Sequence, residues 1–196
     1  MKTAIEIALE KARRIWEKTT PEEIKNLNMK ENAQKLVGKY LNNNISLEEL
    51  IKEVKDAEDK ENFIKLVQKT FLEMLRIRSD IEKISSAMIE LEKLKEKNNY
   101  RKMKYLFEQE IIPLKRQYEM ILEEARDQVK EILKQKVHAA VQKIREQFKD
   151  KEVLVIADDE NIPVESSEEW IDFVSENDAK FNQVLTEYTK RLEELI

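Results

Sequence analysis

The sequence contains no cysteine, a single glycine, three prolines and one histidine among its 196 residues. Without cysteine it can form no disulfide, thiolate metal site or cysteine nucleophile. One glycine cannot build a phosphate-binding loop, a dinucleotide-binding turn or a serine nucleophile elbow, since each of these motifs needs more than one. These shortages exclude several classes of enzyme, and we expect a protein that is not an enzyme and binds no cofactor.

Long apolar runs are also missing. The first ten residues include Lys2, Glu6 and Glu10, which are unlike a signal peptide, and no uncharged apolar stretch approaches the length of a membrane span. The lack of cysteine fits a reducing compartment. We therefore expect a soluble, cytoplasmic protein with no membrane partner.

Charged residues are abundant in this sequence, whereas turn-forming residues are scarce. They make up 39% of the chain, against 41% apolar residues, and this combination favours long, solvated helices. The net charge of −5 is unevenly distributed, because residues 157–196 contain twelve acids and three bases, a local charge of −9, which leaves residues 1–156 at +4. The acidic segment and the basic body are expected to attract each other.

Helix-start signals divide the first 58 residues into short segments. Apolar residues recur at helical spacing over residues 3–18. Thr20 with Glu23, and Ser46 with Glu49, have the spacing of capping boxes, in which two residues at a helix start bond each other's backbone amides. We predict a cluster of short helices here.

The strongest pattern lies between residues 59 and 150, where two apolar runs each keep coiled-coil spacing. The first run alternates steps of four and three through Phe63, Val67, Thr70, Met74, Ile77, Ile81, Ile84, Met88 and Leu91. The second run contains Met103, Phe107, Ile111, Leu114, Tyr118, Ile121 and Ala125, shifts register near Val129, and continues through Ile132, Ala140, Ile144 and Phe148. We predict that the runs fold back on each other as a long antiparallel coiled-coil hairpin.

Two residues that disfavour helices lie inside predicted helices. Pro113 removes one backbone donor from the second run, so we predict a kink about one turn earlier and not a break. Gly38 lies on an apolar helix face, where we expect a close contact between helices.

The chain changes character after residue 150. Val153, Leu154, Val155 and Ile156 form a largely β-branched apolar run, which predicts a short strand. A lone strand has unpaired edges, so these four residues are a candidate contact with a partner protein or a second copy. Acidic helices follow, and the predicted fold class is all-α with one short β segment.

Candidate binding residues are few. Basic residues cluster at the predicted hairpin tip, beside two tyrosines: Lys95, Lys97, Arg101, Lys102 and Lys104, with Tyr100 and Tyr105. Such a cluster is a candidate polyanion contact, although interspersed acids and a pI near 5.3 favour a solvated helix face. His138 lacks the Glu-x-x-His spacing of a helical-bundle metal site, so we expect no bound metal and interpret it as a surface or packing residue.

Two short stretches carry a resemblance. The opening Thr3-Ala4-Ile5-Glu6-Ile7-Ala8-Leu9-Glu10-Lys11 and the later Leu36-Val37-Gly38-Lys39-Tyr40-Leu41 resemble the N-terminus of a bacterial family of short helical proteins with no assigned function. The resemblance implies a bacterial, cytoplasmic protein. It brings no catalytic residues with it.

These patterns together predict three regions, residues 1–58, 59–150 and 151–196, of which the first and third form the base of the hairpin. The long helices, the orphan strand and the opposed charges favour a non-enzymatic scaffold or protein-interaction subunit, either a homo-oligomer or bound to another protein. The alternative is a nucleic-acid-associated protein, in which the basic hairpin contacts phosphates and the acidic segment competes for it.

Overall fold

The computed structural model describes Thr3, Ile5, Glu10 and residues 20–147 and 162–196. All regular structure within these residues is helical, which confirms the all-α class. The predicted strand at Val153–Ile156 and most of the predicted helix over residues 3–18 lie outside the described residues.

The helices follow one another with short connections. In chain order they are α1 (Pro21–Leu41), α2 (Leu47–Lys55), α3 (Lys60–Met74), α4 (Ile81–Lys93), α5 (Tyr100–Leu106), a π segment (Phe107–Ile111), α6 (Ile112–Gln147), a 3-10 turn (Val164–Ser166) and α7 (Glu168–Glu193).

Both predicted capping boxes are present. The Thr20 hydroxyl accepts the amide of Glu23 at 3.2 Å, and the Glu23 carboxylate accepts the amide of Thr20 at 2.7 Å. Ser46 and Glu49 repeat the arrangement at the start of α2, with the same two distances. The bonds from Thr20 lower the pKa of Glu23, because they favour its charged form. These caps fix where α1 and α2 begin.

The chain divides into two compact units. Unit 1 contains the described residues up to Leu75, together with Glu82–Met103 and Glu193–Ile196. Unit 2 contains Arg76–Ile81 and the described part of Lys104–Leu192. Each unit therefore draws on more than one of the three regions predicted from the sequence.

The core of unit 1 is built from the apolar faces of α1 to α4 and the start of α5. Its largest fully buried side chains are Leu50, Ile64, Phe71, Ile84, Met88, Leu91 and Met103. The Tyr40 ring meets the Phe71 ring edge to face, with centroids 5.9 Å apart, and its hydroxyl donates to the Lys83 carbonyl at 3.2 Å. Full burial stabilises each such side chain by about 1.5–3 kcal/mol, so this core can hold the four helices together.

The first apolar run is not one helix, and this part of the hairpin prediction is wrong. α3 ends at Met74, Leu75 is extended, and α4 begins only at Ile81. The Ser79 hydroxyl accepts the Arg76 amide at 2.7 Å and donates to the Arg76 carbonyl at 2.5 Å, which closes a turn between the two helices. Most residues of the run are buried nonetheless, because each half keeps its own helical face.

The second run is one continuous helix of 48 residues from Tyr100 to Gln147. As predicted, Pro113 does not break it. The π segment, Phe107–Ile111, lies in the turn before the proline, where the wider winding accommodates the missing amide and the ring. The side chains of Ile132, Ala140 and Ile144 are exposed, so the predicted continuation of the buried face beyond Val129 is wrong for these three.

Gly38 is not the close helix contact that we expected from the sequence. It lies inside α1, and a Cβ atom built on it would meet no atom within 4 Å. Alanine has a higher helix propensity than glycine, so Gly38→Ala is expected to stabilise the protein by about 0.5–1 kcal/mol. Urea unfolding followed by circular dichroism measures this, and a loss of stability would mean that the position is more crowded than the structure shows.

Candidate functional site

The predicted polyanion cluster is not one surface, because Lys95 is buried. It is 7% exposed, and its ammonium group lies 2.6 Å from a Glu92 carboxylate oxygen. Lys97, Arg101 and Lys102 are exposed, as expected. Lys95 is therefore the weakest of the candidate contacts, because its side chain is 5% exposed and pairs with Glu92.

The exposed basic residues are partly engaged by their neighbours. The Tyr100 ring has the Lys93 ammonium and the Arg101 guanidinium each 5.9 Å from its centroid, and Arg101 Nε donates to the Tyr100 hydroxyl at 3.2 Å. Lys104 lies 3.6 Å from Glu108 in an exposed ion pair. Nucleic-acid contact by Lys97, Arg101, Lys102 and Lys104 stays a prediction.

A buried polar cluster surrounds Glu92 in unit 1. One carboxylate oxygen accepts from Gln68 Nε2 at 2.9 Å and pairs with Lys95, and the other accepts the Asn99 amide at 2.9 Å. Lys95 also donates to the Ile196 carbonyl at 3.2 Å. The cluster thus joins α3, α4, the start of α5 and the last residues of the chain.

The hydrogen bonds of this cluster stabilise the fold of unit 1. Three donors surround the Glu92 carboxylate, which compensates for its removal from water. Gln68 is fully buried, and its side-chain carbonyl oxygen Oε1 has no hydrogen-bond partner among the described residues. This cluster could not be predicted from the sequence, since a Glu–Lys pair three residues apart usually lies on a solvated helix face.

Unit 2 has its own polar cluster. Arg78 Nε donates to Asp178 at 3.0 Å and to the Tyr118 hydroxyl at 3.2 Å, while the Tyr118 hydroxyl donates to Asp178 at 2.5 Å. Burial and the bond to Asp178 raise the pKa of Tyr118. The Ile77 amide donates to Asn182 Oδ1 at 3.0 Å. These bonds hold the turn at Arg76–Ile81 against α6 and α7.

Ion pairs between basic α6 and the acidic segment occur within unit 2. Arg126 lies 2.7 Å from Glu165, and Lys136 pairs with Glu169. Both carboxyl groups have a lowered pKa, first of all because the cation donates a hydrogen bond to the charged form. These exposed pairs are what the charge distribution predicts, and exposure keeps the contribution of each small. His138 is also exposed on α6, within hydrogen-bonding or electrostatic reach of other groups.

An open groove of about 570 Å³ in unit 1 is the best candidate for a binding site. One face of α1 forms its first wall with six residues, and five of them follow one another at steps of four and three: Lys25, Met29, Asn32, Leu36 and Lys39, with Lys35 beside them. The fourteen steps from Lys25 to Lys39 correspond to about 21 Å of helix. Such a wall suits an elongated ligand.

The opposite wall comes from the junction of α2 and α3. Its charged residues are Glu53, Glu58 and Asp59, and Ala57 and Phe63 provide apolar surface. Within the groove Leu36 and Phe63 are buried against the core, while Met29 and Ala57 are only half-buried. The floor is therefore apolar and its rims are charged.

The groove could be predicted only in part from the sequence. The spacing of its first wall is present in the sequence, but the wall requires one continuous helix from Pro21 to Leu41, whereas the sequence predicts a cluster of short helices in this region. This face lies opposite the α2–α3 junction because α1 packs against α3. No local sequence pattern specifies that packing. A second pocket of about 550 Å³ is mostly polar, because charged residues line it together with two apolar ones: Glu61, Lys65, Lys95, Glu96, Lys97 and Glu194, with Leu195 and Ile196.

The described residues contain no group of three or more histidine, aspartate or glutamate side chains placed to hold a metal ion. Among the described helices, none combines the length and the apolar composition that a membrane crossing requires. Comparison with models of protein families, with curated proteins and with solved structures finds no match to this chain. The resemblance of the two N-terminal motifs to a bacterial family stays a prediction.

Proposed function

We propose that this chain is a non-enzymatic scaffold or adaptor subunit and that unit 1 binds an α-helix of another protein in the groove between α1 and the α2–α3 junction. The observation that carries the proposal is the wall of α1, where five residues at coiled-coil spacing border an apolar floor. A helix laid in such a groove presents anchors at the same spacing of three and four residues. The oligomeric scaffold predicted from the sequence belongs to this proposal.

The size of the groove supports a helix. A wall of about 21 Å matches a bound helix of about four turns. Met29 and Ala57 are half-buried, so a leucine stripe placed against them removes further apolar surface from water. The groove is open to solvent, and the exposed Lys25–Glu58 ion pair crosses it at one end. A protein segment can therefore enter it from the side.

The test uses a fluorescent helical peptide of about 14 residues, with leucines at helical spacing on one face and glutamine on both borders of that face. We expect saturable binding to the full chain by fluorescence anisotropy. Met29→Asp is expected to weaken binding by about tenfold or more, because it places a charge on the apolar floor.

The matched control is Leu27→Asp. Leu27 lies on the same helix and is 63% exposed, and it does not line the groove. Circular dichroism of both variants checks that α1 is intact. Absence of saturable binding, or equal weakening by the two variants, would show that the groove does not bind helices.

A further inference from the structure

The two walls of the groove carry opposite charges. Lys25, Lys35 and Lys39 stand on α1, whereas Glu53, Glu58 and Asp59 stand on the α2–α3 junction. Lys25 and Glu58 approach each other across the groove, with their charged atoms 3.1 Å apart in an exposed pair. Lys35 lies 2.7 Å from Glu31 of its own helix. The groove therefore has a basic side and an acidic side over an apolar floor.

We propose that the helix bound in this groove has an apolar stripe with acidic residues along one border and basic residues along the other. This inference rests on the helix-binding function proposed above and specifies its ligand. Acidic side chains of the ligand lie beside Lys35 and Lys39, and basic side chains lie beside Glu53 and Asp59. Opposite charges meet along both rims, and a wrongly charged border is repelled.

The charges also fix the direction of the bound helix. Turning a helix end for end in a groove exchanges its left and right borders. A ligand with one acidic and one basic border therefore matches the walls in one direction only. A ligand with two borders of the same sign meets attraction on one wall and repulsion on the other in either direction, so its binding gains nothing from the charges.

The experiment compares four peptides that share the leucine stripe and differ only in their borders: glutamine on both, glutamate on one and lysine on the other, glutamate on both, and lysine on both. Binding to the full chain is measured by fluorescence anisotropy at low ionic strength, where surface charges are least screened. We expect the mixed-border peptide to bind about tenfold more tightly than either peptide with uniformly charged borders.

Reversal of the basic wall gives the decisive variant. In Lys35→Glu with Lys39→Glu the α1 wall keeps only Lys25 as a basic residue, and this lysine pairs with Glu58. Both walls are then mainly acidic, so the preference is expected to move to the peptide with lysine on both borders. The control is Lys30→Glu with Lys52→Glu, which changes the net charge equally at exposed positions outside the groove. This control is expected to keep the wild-type order of affinities.

The outcomes separate the two proposals. If no peptide binds, or if Met29→Asp leaves binding unchanged, helix binding itself is wrong. If all four peptides bind equally and Met29→Asp abolishes their binding, the groove binds helices and the inferred charge pattern is wrong. A shift of preference that occurs equally in the control variant also overturns the inference, because it would reflect net charge and not the wall.

Discussion

Replacing Glu92 with alanine is expected to lower the free energy of unfolding by about 3–5 kcal/mol, because it removes the buried carboxylate that pairs with the Lys95 ammonium. The side chains of Lys95 and Glu92 are 5% and 0% exposed, and their charged atoms are 2.6 Å apart. The loss also removes the acceptor of the Asn99 amide and of Gln68 Nε2. Chemical unfolding followed by circular dichroism measures the change.

The chain offers a closely matched control on the same helix. Glu90 and Lys93 are also three residues apart with charged atoms at 2.6 Å, but their side chains are 44% and 43% exposed. Glu90→Ala is therefore expected to change the free energy of unfolding by less than about 1 kcal/mol. Similar losses for both variants would mean that burial does not determine the strength of the Glu92–Lys95 pair.

Removing both members of the buried pair should cost far less than removing one. In Glu92→Leu with Lys95→Met no charge is left buried, and replacements of this kind have effects near neutral. We expect the double variant to recover most of the stability lost in Glu92→Ala. A double variant as unstable as the single one would show that the bonds of Glu92 to Asn99 and Gln68 matter more than the charge of Lys95.

Truncation of Phe71 is the second change with a large expected effect. Its ring is fully buried in unit 1 and packs edge to face with the Tyr40 ring. Phe71→Ala removes this contact and leaves a cavity, so we expect a loss of about 3–5 kcal/mol. The measurement is urea unfolding at fixed pH. The same slope of unfolding free energy against urea concentration is used for the wild-type protein and the variant.

Leu27→Ala is the control for that truncation. Leu27 is 63% exposed, so its truncation is expected to change stability by no more than about 0.5 kcal/mol. A loss below about 1 kcal/mol for Phe71→Ala would contradict the core described for unit 1, because it would mean that the surrounding helices close over the missing ring.

The sequence predicted those features that depend on neighbouring residues. The capping boxes at Thr20 and Ser46 need only residues three apart, and both are present. Pro113 affects only the helix that contains it, so the continuity of this helix could also be predicted. The turn after Met74 was missed although Ser79 and Asp80 are residues that commonly precede helices, because the apolar spacing keeps its period across the turn.

Features that depend on tertiary packing could not be predicted. Lys95 and Lys97 look equivalent in the sequence, yet only Lys95 lies where Glu92 and the Ile196 carbonyl can bond it. The groove likewise requires the α2–α3 junction to face α1. Spacing along a helix indicates which residues share a face, and it does not indicate what lies opposite that face.

The π segment at Phe107–Ile111 has a consequence for how the length of this chain can vary. A π turn holds one more residue than an α turn, so every side chain after it is rotated by about 100° relative to an uninterrupted α-helix. Deleting one residue there would restore regular winding and swing Tyr118 away from Arg78 and Asp178. Natural variants of this protein should therefore conserve the number of residues between Leu106 and Pro113 more strictly than their identities.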